Sequence, residues 1–299
     1  MKIAITGGAG FIGRHLVELI NSLGHDIEVI DNFSTGDLGN MLDLRNVKIH
    51  CLDITKDQLP HGDFDAIIHL ASPVSVQESI ENPEKYRDQI WFGSKKVFDW
   101  AKDNNVKKII VASTAAVYGD SQMLPLSEYS TTKPMSPYAK YKLEMENTLM
   151  HSKYDGIQRA ALRFFNVYGE GQNDGSKPNQ GYVSVIPIFL KQSLAGKSIT
   201  VTGTGQQTRD FVYVKDVCEA IYSAVKTDFG SKLVCNIGSG KETKVIDIAA
   251  ALSKDLDFVE ARNEPYRSLA NTITAEMNLG WQAKTDLLEW LKQQTYVKH

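Results

Sequence analysis

Cysteine is scarce in this chain. Cys51, Cys218 and Cys235 are the three in 299 residues, and no two stand in a CxxC pair. That excludes a disulfide scaffold and gives no metal-ligand spacing, so reduced core thiols in a cytosolic protein are expected and no metal is. Long apolar runs are missing too; none approaches the ~20 residues that cross a bilayer. An excess of one charge is also absent: 33 Lys and Arg against 36 Asp and Glu leave −3. Such a balance suits neither nucleic acid nor an anionic membrane surface. There is no biased tract and no internal repeat. The chain enters a strand pattern at once, without a signal-peptide pattern, which fits a cytoplasmic location. What remains is ordinary globular composition, 42% hydrophobic and 23% charged, in a length that suits one large or two medium domains.

The first local signal is at the N-terminus. Lys2-Ile3-Ala4-Ile5-Thr6 reads as a buried parallel strand. Gly7-Gly8-Ala9-Gly10-Phe11-Ile12-Gly13 follows, and then a helical pattern with Ile12, Leu16, Leu19, Ile20 and Leu23 apolar and Gly24 closing it. A second strand, Glu28-Val29-Ile30, ends at Asp31. Strand, glycine-rich turn, helix, strand and acid make a dinucleotide-binding unit. Gly7 permits the tight turn, Gly10 lets backbone approach a pyrophosphate, and Gly13 lets the helix pack on the strand. Pyrophosphate fits the free N–H groups of the helix start. Asp31 is placed to accept the adenosine ribose hydroxyls, and its charge repels a 2′-phosphate, which favours NAD over NADP.

Further strand-like runs end at Asp53, at Ala71-Ser72 and at Ser113-Thr114. A helical stretch over 83–104 carries Tyr86, Ile90, Val97 and Ala101 along one side. Alternating strands and helices predict an α/β fold with a doubly wound parallel Rossmann sheet, whose ligands bind beyond the strand carboxyl ends. Ser136-Pro137 then mark a helix start. Tyr138 and Lys142, four residues apart, share one face of that helix. An ammonium beside a phenol favours the phenolate, so the pair can act as a base near neutral pH. An aromatic edge beside a solvated charge is the plainer alternative.

These segments in this order resemble the extended short-chain dehydrogenase/reductase family, and within it the NAD-dependent nucleotide-sugar epimerases. The resemblance rests also on His69-Leu70-Ala71-Ser72, on 113–119 (STAAVYG), on 162–169 (LRFFNVYG), on 203–212 (GTGQQTRDFV) and on Leu279-Gly280-Trp281. It implies that Thr114 bonds the reacting sugar hydroxyl, that Tyr138 accepts its proton, and that Lys142 lowers the tyrosine pKa and holds the nicotinamide ribose. It implies cofactor contacts from Phe11 and Ile12 to pyrophosphate, from Asp31, Asn32 and Gly36 to adenosine ribose, and from Asp53 and Ile54 to adenine. Leu70, Ala71, Ser72, Ser113 and Phe165 complete that set. Asn166, Val183, Arg209, Arg262 and Ser268 are the implied substrate residues, with Asn166 and Arg209 on the diphosphate. The alternatives are a strand-end cap for Thr114, a pinned turn for Asn166, an ion pair with Asp210 or Asp216 for Arg209, and a solvated charge for Arg262.

Relatives that dehydrate the sugar carry an Asp-Glu pair after the threonine. Here Ala115 and Ala116 stand there, and neither transfers a proton. Epimerisation at C4 of a UDP-sugar, glucose/galactose or their N-acetyl forms, needs only the residues present. A reductase with net redox turnover and a non-catalytic NAD-binding regulator are the alternatives. The chain departs from the family pattern at Ile90, where an asparagine near the nicotinamide is usual, with Gln89 expected to face elsewhere. Gly203-Thr204-Gly205 replaces Gly-Asp-Gly, and the segment from Arg262 to Ser268 is one residue shorter than usual. Ser268 lies near the family's gate for the sugar 2-substituent, and its small side chain leaves room for an N-acetyl group. Residues 1–166 are expected to form the NAD domain, with the chain returning to it near 209–237. Residues 167–299 are expected to form a smaller α/β substrate lobe, with a mobile loop over 169–180. The resemblance also implies a homodimer.

Overall fold

The computed structural model describes residues 1–176, 183–261 and 264–296. Six strands, β1 (Lys2–Thr6), β2 (Asp26–Asp31), β3 (Val47–Cys51), β4 (Ala66–His69), β5 (Lys108–Thr114) and β6 (Gln158–Phe164), join a seventh, Lys232–Ile237, in one parallel sheet. Numbered in chain order, β7 (Asn166–Tyr168), β8 (Ile199–Thr202) and β9 (Thr208–Tyr213) precede that last strand, which is β10. The sheet order is β10-β6-β5-β4-β1-β2-β3. Period-two alternation sends successive side chains to opposite layers. Ile3 and Ile5 enter one core, whereas Ala4 enters the other; Ile68 and Ile67 divide in the same way. Helices Phe11–Ser22 (α1) and Val214–Lys226 cover the first face, and Gly93–Asp103 and Pro137–Leu149 cover the second.

The strand order reverses between β1 and β4, and a doubly wound sheet opens a crevice at such a point. The remaining strands, including β11 (Glu242–Lys244) and β12 (Leu256–Val259), build two small sheets, β11-β9-β7 and β12-β8. The segment over 208–213 therefore joins a small sheet, and Lys232–Ile237 is the strand that returns to the large one.

Two buried cations lock the layers in a way that periodicity does not announce. Lys108 Nζ donates to the carbonyls of Ala224, Val225 and Thr227 at 3.1, 2.9 and 2.7 Å. Arg159, fully buried, donates to Leu149 and His151 carbonyls at 3.2 and 2.7 Å. Both sit at helix C-termini, where unsatisfied carbonyls and the helix dipole favour positive charge.

Several expectations are corrected here. Cys51 is exposed, because β3 is the sheet edge; Cys218 and Cys235 are buried as expected. Leu23 is 46% exposed, since α1 ends at Ser22 and Leu23 is its C-cap. The helical run over 83–104 is broken into Pro83–Tyr86, a wide π-type turn Arg87–Phe92, and Gly93–Asp103. Arg262 and most of the 169–180 loop's second half, from 177 on, lie outside the described residues.

Candidate active site

At the crevice the glycine-rich turn closes against β4. Gly7 has φ +73°, and a Cβ there would stand 2.5 Å from the Ala71 amide nitrogen. A Cβ on Gly13 would stand 2.2 Å from the Gly7 carbonyl oxygen, so this glycine is what lets α1 approach β1. Gly10 caps α1 in extended backbone, with no side chain bonded to the helix start. The first amides, those of Phe11 and Ile12 among them, are thus left for an anion. A cavity of about 490 Å³ opens there. It is lined by Gly7, Gly10, Asp31, Asn32, Asp53 and Ile54 and, just past the carboxyl end of β4, by Leu70, Ala71 and Ser72. Ser75, Glu78, Lys85 and Gln89 are among its other lining residues. An open helix N-terminus, a buried acid at the end of β2 and a second acid after β3 fit a dinucleotide with its pyrophosphate on α1.

Asp31 accepts the amides of Ala9 at 2.9 Å and Phe33 at 2.8 Å. Burial pushes its carboxyl up, and those two N–H groups oppose the shift. A carboxylate has about four acceptor positions, so two remain for ribose hydroxyls. Asp53 accepts the amide and hydroxyl of Thr55 at 2.9 and 2.6 Å. Gly36 packs on the turn itself: a Cβ there would stand 2.7 Å from that of Ala9.

The Tyr138–Lys142 pair lies beside the carboxyl end of β5. Ser136 caps the helix Pro137–Leu149, its hydroxyl accepting the Ala139 amide at 3.2 Å. Lys142 stands one turn into it, its Nζ 6.0 Å from the centre of the Tyr138 ring. It donates to the Ala112 carbonyl on β5 at 2.9 Å. Burial lowers the Lys142 pKa to about 7, and the Glu146 carboxylate pulls the other way. Thr114 ends β5 and caps the short turn Ala115–Tyr118, its hydroxyl accepting the Ala116 amide at 3.2 Å. The strand-end cap is therefore real, and a hydroxyl that accepts there can still donate its own proton to a substrate oxygen.

Behind the pair is a buried network that sequence reasoning missed. Ser113 Oγ donates to Glu146, and Arg163 grips the same carboxylate through Nε at 3.0 Å and Nη2 at 2.6 Å. Arg163 Nη1 donates to Tyr118 OH at 3.0 Å, and that hydroxyl donates to Asn236 Oδ1 at 2.6 Å. Ser113 thus faces the network; Phe165 is likewise buried, beside Tyr118. His69 bridges Thr6 Oγ1 at 2.6 Å and Ser94 Oγ at 2.7 Å. Full burial drops its pKa to about 3, with the Lys142 charge adding to the fall, so it is neutral.

Of the other expected residues, Asn166 donates to the Asp210 carbonyl at 2.9 Å, which pins β7 to β9. Arg209 pairs with Glu264 at 3.2 Å. Asp210 instead accepts the amides of Ser239, Gly240 and Ala270, and Asp216 accepts those of Lys284 and Thr285. Val183 lies just ahead of the helix Val185–Leu194, half-buried. Ser268 is half-buried between Arg267, paired with Glu242, and Leu269, whose carbonyl accepts the Leu126 amide. Ile90 points into the core and Gln89 lines the cavity, so the cofactor-facing position is 89. Lys85 and Gln89, four apart, both reach the cavity; Tyr86 and Ile90 are both fully buried.

A doubly wound sheet with a dinucleotide crevice, and a Tyr-x-x-x-Lys helix beside it, define an NAD-linked enzyme of the short-chain dehydrogenase/reductase type. Comparison with known proteins agrees. Residues 3–238 match the model of the NAD dependent epimerase/dehydratase family. A putative UDP-glucose 4-epimerase of Methanocaldococcus jannaschii is 34% identical, with 97% of this chain and 96% of that one covered. UDP-glucuronic acid decarboxylase 1 of Xenopus tropicalis is 30% identical over 98% of this chain and 70% of its own. Among solved structures, a UDP-N-acetylglucosamine 4-epimerase from Methanobrevibacter ruminantium, in complex with UDP-N-acetylmuramic acid, superposes with a TM-score of 0.91. It is 32% identical, covering 99% of this chain and 97% of that one. This chain belongs to the NAD-dependent epimerase/dehydratase family. NAD is its cofactor, and its activity is that of an epimerase, an isomerase.

Proposed function

We propose that the protein interconverts the C4 epimers of a UDP-hexose, UDP-glucose/UDP-galactose or their N-acetyl forms. The observation that carries this is the sheet-end trio Thr114, Tyr138 and Lys142, followed by Ala115 and Ala116 in place of a second acid and base. NAD, when bound, would supply the hydride acceptor and donor for C4. Tyr138 takes the C4 hydroxyl proton and later gives it back. Lys142, buried and one helical turn before Glu146, supplies the positive charge that favours the phenolate. Thr114 donates a hydrogen bond to the same sugar oxygen. A 4-keto sugar then turns over within the site and is reduced on its other face. Arg209, with Asn166 and Arg262, holds the diphosphate, and Val183 borders the substrate; Glu264 keeps the Arg209 guanidinium in place until phosphate arrives. Ser268 borders the sugar 2-substituent.

The division of labour is an NAD domain over 1–166 and a substrate lobe over 167–299 that shares β10 with it. We place the enzyme in the cytoplasm as a homodimer; no helix among the described residues is long and apolar enough to cross a membrane.

The test is incubation of the purified protein with a nucleotide-sugar panel, without added NAD, followed by NMR of the sugar. Equilibration of a C4 pair without net NADH production is the expected result. Steady reduction or oxidation of added cofactor replaces it with a reductase, and carbon dioxide release from UDP-glucuronate replaces it with a decarboxylase.

A further inference from the structure

We propose that Lys85 is a cofactor-binding residue, an ammonium parked on Glu78 that moves to the NAD pyrophosphate. This rests on NAD as the cofactor and adds a contact absent from the expected set.

Charge in the cavity makes the case. Among its described lining residues, Asp31, Asp53 and Glu78 are anionic and Lys85 is the one cation. NAD brings two more negative charges on its pyrophosphate. The α1 N-terminus offers only about half a positive charge, so the cavity as lined is anionic without Lys85. Asp31 and Asp53 are engaged by local N–H and hydroxyl groups at the adenosine end. Lys85 lines the same cavity together with Glu78, Ser75 and Gln89.

The Lys85–Glu78 pair is built to open. Its Nζ···Oε1 distance is 2.6 Å, with side-chain exposures of 50% and 34%. Ion pairs this wet are weak and are readily exchanged for a denser anion. Glu78 does not depend on Lys85 for its position. Its other oxygen accepts Tyr86 OH at 3.0 Å, and the Tyr86 ring is fully buried. That hydroxyl also accepts the Ser75 amide at 3.1 Å, while Ser75 Oγ accepts the Glu78 amide at 3.1 Å. Glu78 is therefore a fixed parking site, and the flexible four-carbon lysine stem is the moving part. An enzyme that returns its hydride every cycle has no need to release cofactor, so a cation that recloses over the pyrophosphate suits its chemistry.

The experiment is calorimetric titration of cofactor-depleted protein with NAD and with adenosine, for wild type, Lys85→Met, Lys85→Arg and Glu78→Gln. Lys85→Met should raise the NAD Kd about tenfold, the scale of one lost charge-assisted contact, and leave adenosine within about twofold. Lys85→Arg should recover most of the loss, and Glu78→Gln should bind NAD at least as tightly as wild type. The proposal falls if Lys85→Met binds NAD like wild type, if adenosine weakens in step with NAD, or if Glu78→Gln and Lys85→Met weaken NAD equally. Failure of the wild type itself to bind NAD would instead overturn the cofactor assignment beneath it.

Discussion

Removing the Glu146 carboxylate should damage stability and catalysis by separable routes. Glu146 is 3% exposed and one helical turn beyond Lys142; Arg163, 5% exposed, meets it through two donors. Glu146→Gln preserves the shape but leaves a buried guanidinium with no anion. Arg163 cannot shed its proton, and losing one side of such a pair costs about 3–5 kcal/mol. Against a total stability of about 5–15 kcal/mol that is a large fraction. The denaturant midpoint should fall accordingly with an unchanged slope. Glu146→Gln/Arg163→Met, which removes both charges, should be less damaged than the sum of the singles by about 0.5–3 kcal/mol.

The catalytic effect runs through Lys142. Its pKa is about 7, with Glu146 the charge that holds it up against burial. Without Glu146 it must fall further. The first unit of fall takes the charged fraction at pH 7 from about one half to about one tenth, roughly a fivefold loss of the ammonium that supports the phenolate. The alkaline limb of the kcat profile should move to lower pH by the same amount. The variant offers a clear refutation: a wild-type midpoint together with an unmoved alkaline limb would mean that Glu146 neither neutralises Arg163 nor supports Lys142.

Two further outcomes are expected. Tyr138→Phe should lower kcat by about 10²–10⁴-fold, the usual worth of a positioned acid–base group, while NAD titration shows retained binding; undiminished turnover would remove Tyr138 from the mechanism. His69 should make the protein acid-sensitive. Its pKa is about 3 when folded and about 6.5 when unfolded, so between those values the unfolded chain binds the extra proton and stability falls as pH drops, by up to about 4–5 kcal/mol. His69→Gln should flatten that part of the stability–pH curve; an unchanged slope between pH 6.5 and 3 would refute the buried neutral imidazole.

Much of the frame is legible in the sequence, because the signals are local. A glycine-rich turn after an apolar run, an acid after the next strand and Ser-Pro ahead of Tyr138 each act within a few residues, and each is found where expected. What is not legible is partnership across the chain. Lys108 meets residues 224–227, Glu264 meets Arg209, and Asn236 meets Tyr118. Hydrophobic period tells which side of an element is buried, but not which distant polar group will be waiting there. The expected partners of Arg209, Asp210 and Asp216, are near in sequence, yet the fold commits both to backbone amides. A buried acid among amide donors is worth more than a wet pair with arginine, so local proximity loses.

Residues 89 and 90 show how two kinds of sequence signal can disagree. The family pattern puts a cofactor-facing asparagine at 90, which makes Ile90 a defect beside the nicotinamide. The periodicity of the same helix puts Tyr86, Ile90, Val97 and Ala101 on one apolar side, which makes Ile90 a core residue. The structure sides with periodicity: all four are fully buried, and the cavity is met by Lys85 and Gln89, one position earlier on each turn. The physical reason is the cost of asymmetry. Turning Ile90 out would leave a hole among Tyr86, Val97 and Phe98 and push a polar amide inward, each costing kilocalories, whereas Gln89 toward a wet cavity costs almost nothing. Ile90 is then no departure at the chemistry. The position that carries the amide is Gln89, one methylene longer than asparagine, and it stands one turn beyond Lys85 on the wall that faces the cofactor.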